Sequence, residues 1–122
     1  MEKAKPLIEL IRQDFKRLRE PPLKVYFSIT RLINTLIKHK KISMYLFGSY
    51  AKIIYKKNSD IDLAIISDKI NEKDKKEINK RIKTIESRFQ KTIEIHYFKT
   101  NFYKNKSDPL VKDILKNGIK LI

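Results

Sequence analysis

Residues 42–66 read ISMYLFGSYAKIIYKKNSDIDLAII, and the fold turns on how this stretch alternates. Residues 42–47 form a compact apolar run that stops at Gly48 and Ser49, the pattern of a strand running into a turn. Beyond a polar loop at Lys56, Lys57, Asn58 and Ser59, Ile61, Leu63 and Ile65 alternate with Asp60, Asp62 and Ala64. Side chains alternate across a strand, so a second strand is expected with one apolar face and one face bearing two carboxylates.

Working outward, helical spacing surrounds this pair. Leu7, Leu10, Ile11, Phe15 and Leu18 predict a first helix, which Pro21 and Pro22 break. Val25, Ile29, Leu32, Ile33, Leu36 and Ile37 keep one face of a second, which ends in the basic run His39, Lys40, Lys41. Downstream, Asn71 with Asp74 predicts a capping box, and Ile78, Ile82, Ile85 and Phe89 supply the buried stripe of a long third helix. Ile93, Ile95 and Tyr97 then alternate with Glu94 and His96, a third strand with a polar face. Asp108 and Pro109 start a short helix that Asn117 and Gly118 close, and residues 119–122 add a last strand. Strands interleaved with helices imply an α/β (α+β) sandwich, and no linker divides the 122 residues, so the expectation is one domain over residues 1–122, with 1–40 as N-terminal helices.

Composition excludes several chemistries. There is no Cys, hence no disulfide, thiol nucleophile or thiolate metal site, and the two histidines, His39 and His96, cannot build a His-rich centre alone. No stretch approaches the length of a membrane span and the start lacks an apolar signal core, so the cytoplasm is the expected compartment. The 29 Lys and Arg against 14 Asp and Glu leave a net charge of +15, which predicts attraction to polyanions. Much of that excess is Lys, in a chain that is also rich in Ile, so part of it reflects a compositional bias rather than a ligand.

The chemistry-bearing pattern is Gly48-Ser49, ten residues, then Asp60-Ile61-Asp62. A Gly at a strand end lets the backbone approach a phosphate closely, and Ser49 adds a hydroxyl and an N–H where a short helix begins. Two Asp separated by one residue project side by side, a natural seat for hard divalent cations such as Mg²⁺ that keep their other positions for water and phosphate. Such a pair serves in-line displacement at phosphorus. Glu94, mid-strand on a polar face, is either the third carboxylate of such a set or a solvated strand residue. His96 lies on the same face, one pleat further, and reads as structural or peripheral. The Lys-rich face around Lys73, Lys75, Lys76, Lys80 and Lys83 reads as a solvated helix surface.

These residues resemble the minimal nucleotidyltransferases of the DNA polymerase beta-like superfamily. The likeness rests on Phe47-Gly48-Ser49-Tyr50-Ala51 and Asn58-Ser59-Asp60-Ile61-Asp62-Leu63, and extends through Ile93-Glu94-Ile95-His96-Tyr97-Phe98 and Asp108-Pro109-Leu110-Val111. It implies a small mixed β-sheet backed by helices, with Asp60, Asp62 and Glu94 on Mg²⁺ and Gly48, Ser49 and Lys52 at the triphosphate of ATP or another NTP. It further implies transfer of a nucleoside monophosphate, AMP above all, to a hydroxyl, with a Tyr of a HEPN-type toxin as acceptor in the antitoxin members. After Gly-Ser such proteins usually carry a small residue, Arg and Gly, where this chain has Ala51, Lys52 and Ile53. Two alternatives stand beside this one: an antitoxin that acts by contact alone, and a basic RNA-binding module, the latter less favoured because charge alone specifies no reaction.

Overall fold

The computed structural model describes residues 23–36, 42–52, 54–56 and 58–122. The expected first helix, the Pro21-Pro22 break, the end of the second helix, Ile53 and Lys57 lie outside them. Helix α1 spans Leu23–Leu36, strand β1 Ser43–Phe47, the short helix α2 Gly48–Lys52 and strand β2 Ile61–Ile66. Helix α3 (Glu72–Phe89), strand β3 (Ile93–Phe98), a 3-10 turn (Phe102–Lys104), helix α4 (Pro109–Asn117) and strand β4 (Ile119–Lys120) follow.

The four strands make one mixed sheet in the order β3-β2-β1-β4. β1 pairs antiparallel with both β2 and β4, while β2 and β3 run parallel. A parallel pair cannot be joined by a tight turn, and α3 supplies the crossover. That helix is well specified locally: Asn71 accepts from the Asp74 N–H, Asp74 returns a bond to the Asn71 N–H, and Gln90 ends it in the left-handed region at φ 52°. Asp108 likewise accepts from the Leu110 N–H at 2.8 Å, and Pro109 follows in the first turn of α4.

The period-two pattern divides the sheet into two faces. Met44, Leu46, Ile61, Leu63, Ile65 and Ile93 are buried against Val25, Ile29, Leu32 and Leu36 of α1 and Ile78, Ile82 and Ile85 of α3, which together form the main core. The other face holds a smaller cluster of Phe47, Ala64 and Ile114, with Tyr45, Phe98 and Phe102 packed on it. Because α4 covers only part of that second face, Asp62, Glu94 and His96 on it keep access to solvent while the sheet beneath them is fixed by the core.

Leu63 sits at the centre of the main core with no exposed surface. Leu63→Ala should therefore cost about 2–5 kcal/mol, and Asn71→Ala, which removes one half of the capping box, about 1 kcal/mol; urea denaturation of the full chain measures both.

Candidate functional site

The site begins where β1 ends. Gly48 has φ +72°, a region L side chains rarely adopt, and a Cβ there would collide with Oδ2 of Asp62 and lie 3.0 Å from its Cγ. Two independent constraints thus demand glycine, and the second shows that the Gly48 backbone rests against the Asp62 carboxylate. α2 follows at once, anchored by the buried Tyr50, whose ring stacks on Tyr55 at 4.3 Å. The loop before β2 is closed reciprocally: the Lys56 N–H donates to Ser59 Oγ at 2.7 Å and the Ser59 N–H donates to the Lys56 carbonyl at 3.0 Å. Ser59 therefore fixes the backbone that delivers Asp60.

The parallel register sets Asp62 beside Glu94 and Ala64 beside His96. Asp62, Glu94 and His96 each present a ligand atom, and these atoms all lie within 4.8 Å of one another. Two oxygens and an imidazole nitrogen at that separation could hold a divalent cation with small side-chain adjustment. Asp60, expected beside Asp62 on the strand, instead stands exposed one residue ahead of β2 and is not part of this close trio. It acts on the trio through its charge. Asp62 is pushed from its ordinary 3.8 up to about 6, first by burial, then by its hydrogen bond with Glu94 and the negative charges of Glu94 and Asp60, with His96 opposing.

Of the residues expected at a triphosphate, Ser49 is partly buried at the start of α2, and the Gly48 N–H donates to Oδ2 of Asp113 at 3.2 Å. Lys52 Nζ lies 3.6 Å from Oδ1 of the same carboxylate, which also accepts from Asn117 Nδ2 at 2.8 Å. Asp113 was not anticipated from the sequence. The available signal was that it is the lone acidic residue within α4, between Lys112 and Lys116, yet follows Val111 toward the buried side of the helix. His96, expected to be structural or peripheral, stands with the carboxylates, and its ring contacts Phe47 at 5.6 Å between centroids on the same face.

Gly48→Ala should lose at least about 1–2 kcal/mol from the left-handed backbone alone, with the collision against Asp62 added, read as a lowered midpoint in thermal unfolding. Asp62→Asn should do the opposite at neutral pH. A carboxyl whose folded value is raised contributes stability that is fully present below pH 3.8 and lost as pH rises through about 6. The variant is therefore expected to melt higher than the parent at pH 7.5 and to match it below about pH 4, in thermal scans across that range without added metal.

The family described as "Nucleotidyltransferase domain" matches residues 29–121. No curated protein matches. Among solved structures, one described as a toxin-antitoxin with AMP-PNP is similar at 24% identity and TM-score 0.54, over 78% of this chain and 70% of that one. A MntA-HpeT toxin-antitoxin mutant carrying two Asp-to-Glu substitutions is similar at 21% identity and TM-score 0.50, over 77% and 69%. A Tyr-to-Ala mutant of MntA-HpeT is similar at 21% and 0.52, over 80% and 71%. At these identities the solved structures speak to the fold, while the family match runs from within α1 into the C-terminal residues and takes in every element of the sheet, so the chain belongs to the nucleotidyltransferase domain family.

Proposed function

We propose that the protein transfers AMP from ATP to a hydroxyl group on a protein partner, as the antitoxin of a toxin-antitoxin pair. The observation that carries this reading is the side-by-side placement of Asp62 and Glu94 on β2 and β3, with Asp62 packed against Gly48. Asp60, Asp62 and Glu94 are the residues that would hold the divalent cations of the reaction, Mg²⁺ among them. A divalent cation held there would offset the charge of the triphosphate and of the entering and leaving oxygens in an in-line displacement. The acceptor oxygen forms a bond to the α-phosphorus as the bond from that phosphorus to the bridging oxygen of the β-phosphate breaks. Pyrophosphate leaves, and the acceptor's proton passes to the carboxylate set.

In this reading Ser49 binds the triphosphate through its N–H and hydroxyl. Gly48 serves by lacking a side chain, since its own N–H is directed to Asp113. Lys52, still partly exposed while paired with Asp113, reaches the phosphates as a point charge. The AMP-PNP in one similar structure is an ATP analogue, and another similar structure carries substitutions of two aspartates two positions apart, as Asp60 and Asp62 are. We infer that the partner is a HEPN-type toxin with a Tyr as acceptor, a reading to which the Tyr-to-Ala mutant of MntA-HpeT adds support. Among the described residues no helix is long and apolar enough to cross a membrane, and we place the reaction in the cytoplasm, where ATP and Mg²⁺ are supplied.

One observation favours a second reading, neutralisation by contact alone: Asp113 engages both the Gly48 N–H and Lys52. A single experiment separates the two. With ATP labelled at the α-phosphate, Mg²⁺ and the candidate toxin, label is expected on the toxin, and Asp60→Asn or Asp62→Asn should reduce transfer by about a hundredfold or more while the complex still forms on a sizing column. Toxin neutralisation that survives both substitutions would assign the protein to the contact mechanism.

A further inference from the structure

His96 sits where a ligand would. The parallel register places Ala64 across from it, and a methyl side chain there puts little bulk between the imidazole and Asp62. On its other side the ring meets Phe47, a buried residue that is itself the cross-strand neighbour of Asp62 on β1. Phe47 lies against the ring, and one imidazole nitrogen lies within 4.8 Å of an oxygen of Asp62 and an oxygen of Glu94. Two donors on opposite sides of one cation are separated by about 4–5 Å, so the three side chains are already at binding distance from one another.

We propose that His96 is a metal ligand, and that with Asp62 and Glu94 it makes a nitrogen-and-two-oxygen site that takes a first-row transition metal such as Mn²⁺ in preference to Mg²⁺. Mg²⁺ is hard, demands oxygen and keeps its waters, whereas first-row transition ions accept an imidazole nitrogen beside carboxylate oxygens, and Mn²⁺, the weakest binder of that series, is the member whose ligands are read spectroscopically. Asp60, on the strand approach, offers oxygen only. The two cations of a nucleotidyl transfer would then rest in chemically different seats: one of oxygen, shared by Asp60 and Asp62 and suited to the Mg²⁺ that accompanies ATP, and one of mixed donors at Asp62, Glu94 and His96. The use of the second seat in catalysis rests on the function proposed above; the ligation itself does not.

The test uses the full-length protein and metal alone, without nucleotide. Mn²⁺ is titrated into the protein, binding is followed by loss of the free-ion electron paramagnetic resonance signal, and pulsed spectra of the bound ion are examined for nitrogen-14 modulation. The expected result is one directly bound imidazole nitrogen and displacement of Mn²⁺ only by a large excess of Mg²⁺. His96→Gln should abolish the nitrogen signal and weaken Mn²⁺ by about tenfold or more, with Mg²⁺ affinity changed far less. Bound Mn²⁺ without nitrogen modulation overturns the proposal, as does failure of the wild-type protein to bind Mn²⁺ or an unchanged affinity in His96→Gln. The wild-type spectrum decides the matter even if that variant folds poorly. A nitrogen signal in a protein that transfers no nucleotide would keep the ligand assignment and sink the catalytic reading, and transfer activity without the signal would do the reverse.

Discussion

The pairing of β2 with β3 is the constraint on which the site depends. Glu94 reaches Asp62 only because the strands run parallel and in a register that sets those two residues opposite each other, and parallel pairing is possible only because α3 carries the chain back along the sheet. A slip of one residue would turn Glu94 and His96 to the core side and send Ile93 and Ile95 toward solvent. The main core forbids this. Ile61, Leu63, Ile65 and Ile93 are all held against α1 and α3, so burial on one face of the sheet fixes the positions of charges on the other.

Those charges are held against their own preference. Burial first, then the hydrogen bond and charge of Glu94 and the charge of Asp60, raises the titration of Asp62 to about 6, so ionising it in the folded protein is costly. An opposite charge placed among them would offset that cost. The surrounding +15 does part of this work at long range. It lowers the cost of gathering acidic groups in one place and draws anions toward the molecule.

Most of the architecture was legible in the sequence because it is locally encoded. Alternation marked β2 and β3, the Asn71–Asp74 reciprocity marked the start of α3, and the Asp108-Pro109 pair marked α4, each within a few residues. Gly48 and Ser49 were legible for the same reason. What escaped was everything that needs two distant segments at once. Asp113 bonds to a backbone amide 65 positions away, and nothing near it announces that partner. His96 was visible on the polar face, but its approach to Asp62 depends on strand register, which alternation alone leaves open. Asp60 was expected to share the strand with Asp62; the strand begins one residue later, at Ile61, whose N–H is taken by the Thr92 carbonyl at 2.8 Å.

The bond from Gly48 to Asp113 also bears on the order in which the molecule comes together. The turn that touches Asp62 is braced from α4, and β4 just beyond that helix closes the far edge of the sheet against β1. A growing chain emerging from the ribosome can form α1, the β1-β2 hairpin and α3 well before Asp113 has been synthesised. Through that interval the Gly48 turn lacks its brace, and loop closure over so long a separation comes late. A nascent chain would therefore own a core before it owned a settled site, which is completed only when the downstream helix docks.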